Sequence, residues 1–376
     1  MAALFDPIRL RSLDIPNRVW VAPMCTYSAA AEGPDTGVAT DWHFAHLAAR
    51  ASGGAGLVMV EATAVSPEGR ISPHDLGLWN ERQQNALARV AGFIRDQGAV
   101  PAIQLAHAGR KASVDVPWRG GAPVPEADGG WTPVGPSPVA FDEGHAVPAE
   151  LTPEGVRRVV GDFAAAAERA LAAGFEVAEV HGAHGYLIHS FLSPAANRRA
   201  DAYGGTPENR MRLALEATDA VREVWPADLP VFFRVSATDW LTENPDDPRD
   251  GWTGDDTLRL AKELQARGVD LLDVSSGGVV PDARIPAEPG YQVPFAARVR
   301  EQTGLATGAV GLVTDPRQAE DIVASGRADA VLLARELLRD PYWPHEAALE
   351  LGAQPRWPRQ YGYAVGAGRR AISARR

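Results

Sequence analysis

Apolar residues along this chain gather in short, almost unbroken runs at 19–24, 56–62, 100–107, 176–180, 231–235, 269–274, 306–310 and 330–333. Each run is rich in valine, isoleucine, leucine or alanine and does not alternate with polar residues, the pattern of strands buried on both faces. Between them the spacing turns helical, over 81–97, 153–173, 207–224, 255–267 and 315–325. Thr152, Thr206 and the pair Thr314-Asp315 stand just ahead of Pro153, Pro207 and Pro316, so a capping residue precedes a first-turn proline three times. Eight strands with crossover helices predict an α/β fold, a closed (β/α)8 TIM barrel. The competing arrangement is an open doubly wound sheet, against which no G-x-G-x-x-G follows the first strand.

Three segments lie outside that alternation. Residues 4–18 have short alternating stretches and turn residues, which predicts an N-terminal hairpin plugging the barrel floor. Residues 117–150 follow strand three and are loaded with proline and glycine. A loop this long at a strand's C-terminal side is more often a functional lid than an accident. From about residue 355 a tail, Arg-Trp-Pro-Arg-Gln-Tyr-Gly-Tyr and then a basic Gly/Ala/Arg end expected to fray, extends beyond the barrel. The expectation is one domain over 1–376.

Composition narrows the function. Apolar residues make up 45% of the chain, enough for a sizeable core, and the formal charge is −11 with the basic residues scattered. That argues against a nucleic-acid footprint or a polybasic membrane patch. Lysine occurs only at Lys111 and Lys262, a compositional bias with no functional reading. The single cysteine, Cys25, permits no intrachain disulfide and no thiolate-bound iron–sulfur cluster. The opening Met-Ala-Ala-Leu-Phe-Asp lacks the basic and apolar regions of a secretory signal, and no run of about 18 apolar residues is present. A cytoplasmic protein without a membrane partner is expected.

In a barrel of this kind the chemistry sits at strand C-terminal ends. There the chain places Pro23-Met24-Cys25-Thr26-Tyr27, Glu61-Ala62, Gln104 through Lys111, His181 through Tyr186, Arg234, Ser275-Ser276, Gly308 through Gly311 and Arg335. Loops after strands seven and eight often bind phosphate, and Gly308, Gly311 and Arg335 suit that need, although the glycines can equally just turn the chain. An offset of three puts His181 and His184 on opposite faces of a straight strand, so the pair must lie where the backbone has left strand geometry. Both imidazoles can then donate to one substrate oxygen. A metal site is the weaker reading, since H-x-x-H lacks the spacing and glutamate of H-E-x-x-H; a satisfied structural pair also stays open. Tyr186 suits a proton donor or a packing aromatic. Arg234 needs an anionic partner, either a reduced flavin or a barrel carboxylate such as Glu61. Gln104 suits a heterocyclic amide edge or a neighbouring side chain, and Cys25 alone reads as a small buried hydrophobe.

At these residues the chain resembles the old yellow enzyme family, in its bacterial, thermophilic-like subgroup. The likeness runs from Leu4 to about Tyr361. Its landmarks are Leu-Phe-x-Pro, Asn17-Arg18, Ala-Pro-Met-Cys-x-Tyr at 22–27, Gln-Leu-x-His-Ala-Gly-Arg-Lys at 104–111 and His-Gly-Ala-His-Gly-Tyr-Leu at 181–187. Phe-Leu-Ser-Pro at 191–194, Tyr-Gly-Gly-Thr-Pro-Glu-Asn-Arg at 203–210, Ala-Thr-Gly-Ala-Val-Gly at 306–311 and Arg-Glu-Leu-Leu at 335–338 complete the series. Each is weak alone; in this order the set is specific.

The resemblance implies non-covalent FMN across the barrel mouth, with NADPH as hydride donor and activated C=C bonds reduced in two alternating half-reactions. It assigns Pro23, Met24, Cys25, Ala62 and Gln104 to the isoalloxazine, Arg234 to its N1 and C2 carbonyl edge, and Gly308 and Arg335 to the phosphate. His181 and His184 match the pair that holds the substrate's electron-withdrawing oxygen, Tyr186 the proton donor, Tyr27 a second pocket phenol, and Lys111 a position near the pocket. Cys25 resembles the subgroup's thiol that tunes the flavin potential. A homo-oligomer is implied, but the subgroup's tail arginine is replaced by Tyr363 after Gln360-Tyr361, which leaves a shared active site open. Two other functions compete: a Schiff-base lyase or isomerase on Lys111, and a flavin-binding barrel without turnover.

Overall fold

The computed structural model describes residues 2–365, and the basic end expected to fray lies outside the described residues. Eight strands, β1 (Val19–Val21), β2 (Leu57–Ala64), β3 (Val100–Ala106), β4 (Val177–Gly182), β5 (Val231–Ser236), β6 (Leu271–Ser275), β7 (Ala306–Ala309) and β8 (Ala330–Leu333), run parallel in sequential order, and β8 closes on β1. This is the predicted (β/α)8 barrel. β1 stops three residues short of the predicted 19–24 because Pro23 has no N–H to continue the ladder.

The crossover helices are α1 (Asp41–Ser52), α2 (Glu81–Asp96), α3 (Pro153–Ala172), α4 (Pro207–Val224), α5 (Gly254–Ala266), α6 (Val293–Thr303), α7 (Pro316–Ala324) and α8 (Trp343–Glu350). Their starts follow the cap chemistry in the sequence. Thr152 and Thr206 accept the N–H groups of Gly155 and Asn209, and Asp315, not Thr314, accepts those of Arg317 and Gln318. At α2, Asn80 and Gln83 satisfy each other's backbone N–H in a capping box. Along α3, Val156, Val159, Phe163, Ala166 and Ala170 make one buried stripe against the barrel.

Inside the barrel, period-two alternation stacks two unlike layers. The lower layer is apolar, with Trp20, Leu57, Val100, Phe232 and Leu271, and the Trp20 and Phe232 rings stack at 5.7 Å. The predicted hairpin, Ile8–Leu10 paired antiparallel with Leu13–Ile15, seals this layer by burying Leu10 and Ile15 in it. Burial of each such side chain contributes roughly 1.5–3 kcal/mol. Two residues beyond Ala102, Val177, Phe232 and Leu271 of that apolar cluster come Gln104, Glu179, Arg234 and Asp273, all buried. The register between β2 and β3 shifts between Val60 and Thr63, a bulge that brackets Glu61 and Ala62 at the rim. The loop over 117–150 caps the mouth: Trp118 lies edge-on to Tyr27 at 6.1 Å, and Phe141 sits 4.4 Å beneath the Lys111 ammonium.

Candidate active site

His181 is the last side chain but one of β4 and points into the mouth, while His184 lies past the strand end at φ +59. The chain has left strand geometry between them, as the spacing required. Their rings meet edge to face at 5.3 Å, and Tyr186 packs on His181 at 5.1 Å. Burial, then the charge of Arg234, holds both imidazoles well below the usual histidine range, so each is uncharged at neutral pH. Burial pushes the Tyr186 phenol up, so it keeps its proton. His181 Nδ1 accepts the Ala183 N–H at 3.3 Å, which leaves its proton on Nε2. His184 Nε2 lies 2.7 Å from Ser275 Oγ.

The partner of Arg234 corrects one reading. The carboxylate is Asp273 on the adjacent strand β6, with Nε to Oδ2 at 3.1 Å, and not Glu61. Glu61 is occupied instead by the N–H and Oγ1 of Thr26, at 2.9 and 2.7 Å, and so clamps the loop that carries Cys25 and Tyr27. Burial raises the Glu61 carboxyl to about 8. Gln104 donates to Glu179 Oε1 at 2.8 Å, its cross-strand neighbour, so one end of its amide is committed. Burial, then Asp75 and Glu61, pushes the Cys25 thiol up, which keeps it from acting as a thiolate. The same factors, with Cys25, raise the Tyr27 phenol.

A cleft of about 200 Å³ opens at the mouth between β6, β7 and β8, lined among others by Arg234, Ser275, Gln292, Gly311 and Arg335. Gly311 takes φ +115, where a Cβ would strike Gln292. Gly308 does not reach this cleft. It lies within β7, and a Cβ there would overlap Leu332 Cδ1 at 2.4 Å, so its absence makes room for the barrel core. Lys111 Nζ donates to the carbonyls of His184 and Gly278 at 3.0 and 3.2 Å, and burial with Arg110 lowers it to about 8. Gln292, Glu179 and Asp273 were missed in the sequence. The two acids carried a usable sign, each being a second charge within a run that is apolar apart from it and Glu176 or Asp270.

A cationic cleft beside strands seven and eight, an interior guanidinium and three proton-bearing rings on one barrel mouth define a flavin-type oxidoreductase barrel. The chain belongs to the NADH:flavin oxidoreductase / NADH oxidase family, which it matches over residues 3–354, and within it to the FMN-dependent old yellow enzyme group. It is 48% identical over 349 residues to an NADPH dehydrogenase of Geobacillus sp. (strain WCH70), covering 93% of this chain and 94% of the relative. The old yellow enzyme homologue from Zymomonas mobilis superposes with a TM-score of 0.74 at 26% identity, covering 94% of each chain. A 2-naphthoyl-CoA reductase superposes at 0.81 with 26% identity; the match covers 93% of this chain and 52% of that longer one.

The donor set fits FMN. The Arg335 side chain, exposed at the edge of the cleft that it lines, has no hydrogen-bond or ion-pair partner among the described residues and is free to meet an anion. Arg234 Nε faces Asp273 Oδ2 at 3.1 Å without hydrogen-bond geometry, and the buried Asp273 Oδ1 has no partner among the described residues. Unmatched buried polar atoms are costly unless a bound group completes them. Arg335 and Gly311 suit a phosphate, and Arg234 suits a heterocyclic edge that gains negative charge.

Proposed function

We propose that this enzyme uses NADPH to reduce the C=C bond of α,β-unsaturated carbonyls, maleimides and nitroalkenes, the two substrates taking the same mouth in turn. The observation that carries this is the convergence of His181, His184 and Tyr186 within about one ring's reach of each other, beside Arg234. When bound, FMN supplies a two-electron relay from nicotinamide to alkene. His181 offers Nε2–H. His184 Nε2 lies 2.7 Å from Ser275 Oγ, and both Ser275 Oγ and Ser276 Oγ donate to Gln292 Oε1, at 3.2 and 2.7 Å, so the serine pair fixes the His184 ring at the cleft edge. The uncharged His181 imidazole thus presents an N–H donor to the oxygen on which enolate charge develops, with the uncharged His184 ring beside it. Tyr186 delivers a proton to Cα and is reprotonated from water, so each turnover consumes NADPH, the alkene and one proton.

Lys111 spends two of its three N–H groups on backbone carbonyls, which favours a bracing role over Schiff-base chemistry. We further propose a homo-oligomer: Tyr363 is 86% exposed beside exposed Tyr361, an aromatic surface of the sort a second copy covers. The test of function is an anaerobic visible spectrum. Addition of NADPH should bleach the flavin band and 2-cyclohexenone should restore it. A protein that stays colourless after FMN is supplied overturns the reading, and a band that bleaches but ignores every alkene reduces it to a flavin barrel without ene-reductase turnover.

A further inference from the structure

Behind the mouth lies a buried polar network that the reaction above does not use. The turn carrying His184 and Tyr186 runs through two consecutive left-handed residues, His184 at φ +59 and Gly185 at φ +74. A non-glycine residue holds such a conformation only where its surroundings over-determine it. Ser236 Oγ accepts the His184 N–H at 2.9 Å and Lys111 braces the His184 carbonyl. The Gly185 N–H, midway between the two functional side chains, donates to Nδ1 of His189 at 2.8 Å.

His189 is fully buried on the short helix Leu187–Leu192, and its Nε2 lies 2.9 Å from Oδ1 of Asp239, also fully buried. Asp239 Oδ2 in turn accepts Ser193 Oγ at 2.6 Å and the Trp252 N–H at 2.7 Å. Every donor in this chain points one way. An imidazole nitrogen that accepts an N–H cannot carry a proton, so the His189 proton sits on Nε2, where only an acceptor can meet it.

We propose that His189 and Asp239 are positioning residues: Asp239 fixes the His189 tautomer, and His189 through Gly185 holds the turn that presents His184 and Tyr186 to the substrate. The proposal rests on the roles given to those two residues above. Asparagine at 239 defeats the network in either orientation. With its NH2 toward His189 the ring must change tautomer and confront the Gly185 N–H with an N–H. With its NH2 toward Trp252, that backbone donor is left unpaired. Glutamine at 189 preserves the pattern, because its amide oxygen and nitrogen can stand in for Nδ1 and Nε2–H.

The test compares FMN-loaded wild type with Asp239→Asn, His189→Leu and His189→Gln. Binding of 4-hydroxybenzaldehyde is read from the flavin spectrum, and the NADPH and cyclohexenone half-reactions are timed separately. Asp239→Asn and His189→Leu should lose about tenfold or more in phenol affinity and cyclohexenone rate, with the NADPH half-reaction within about twofold of wild type. His189→Gln should stay within about threefold of wild type on all three. Unchanged phenol affinity in both disruptive variants overturns the proposal, as does His189→Gln failing as badly as His189→Leu. Should the disruptive variants not fold, the wild type still decides: 15N spectra of histidine-labelled protein must show His189 protonated on Nε2, and a proton on Nδ1 overturns it. A wild type that neither binds the phenol nor reduces the enone sinks the function itself, a separate result.

Discussion

Replacing Glu61 by glutamine should stabilise this enzyme at neutral pH, by an amount that grows with pH. Glu61 is 4% exposed, and burial lifts its carboxyl from 4.5 to about 8 against the two hydrogen bonds from Thr26. The nearest cationic candidate, His43 Nε2, is 3.9 Å away, and burial holds that ring down at about 4. The folded state therefore keeps a proton that the unfolded state releases. Stability from this group is complete below pH 4.5 and is lost as pH rises to about 8. At about 1.36 kcal/mol per pH unit the loss reaches roughly 3 kcal/mol by pH 7 and levels off near 5 above pH 8. Glutamine keeps a carbonyl for the Thr26 N–H, turns its NH2 to Thr26 Oγ1 and has no proton to lose. With an unfolding entropy of about 2.1 cal/mol/K per residue over 376 residues, 3 kcal/mol corresponds to a rise of roughly 4 °C in Tm. Asp75, raised to about 6, adds its own slope in both proteins, and its charge once formed helps to hold the Glu61 carboxyl up. Thermal melts from pH 5 to 8.5, with FMN at fixed excess because ligand raises Tm by mass action, should show the two curves diverging with pH. Parallel curves would refute the reasoning and mean that Glu61 is ionised in the fold.

Three further outcomes follow from the mouth. His181→Ala or His184→Ala should retain FMN yet weaken 4-hydroxybenzaldehyde about tenfold or more in a spectral titration; loss of flavin instead would move the pair to the cofactor's side. Tyr186→Phe should slow cyclohexenone reduction by about a hundredfold or more and spare anaerobic NADPH oxidation, and an unchanged enone rate removes it as proton donor. Arg335→Ala should raise the Kd for FMN by roughly 10–100-fold in a flavin-release assay, while an unaltered Kd places the phosphate elsewhere.

Much of the barrel was legible because parallel strands buried on both faces leave short, non-alternating apolar runs, and here these recur between helical stretches of much greater length. The cap residues Thr152, Thr206 and Asp315 fixed three helix starts for the same local reason. The site was legible as a set of residues at strand ends, and its irregular backbone was legible from the offset of His181 and His184. What sequence reading could not supply was pairing across strands. Arg234 meets Asp273 instead of Glu61 because register, not sequence distance, sets β5 beside β6. Gly308 was read as a phosphate residue because a glycine at a strand end looks the same whether it opens a cleft or, as here, yields to Leu332. His189 and Asp239 stand 50 residues apart, and only the fold brings them to 2.9 Å.

The chemistry of this barrel begins where its strands stop being regular. Below, apolar side chains on a strict two-residue period fill the floor, and such a layer can only pack. One layer higher the same period delivers Gln104, Glu179, Arg234 and Asp273, which can set a field but cannot aim at a substrate, because each points at the barrel axis. His181 aims from the regular end of β4, but the other groups need freedom that a strand lacks. It comes from Pro23 ending β1, the bulge around Glu61 and Ala62, and left-handed backbone at Tyr27, His184 and Leu312. Each departure forfeits ladder hydrogen bonds or adds strain, and the buried partners just outside the mouth offset that loss: Glu61 on Thr26, Lys111 and Ser236 on His184, His189 on Gly185. Substitutions in the floor should therefore appear as lost stability, and substitutions among these braces as lost aim.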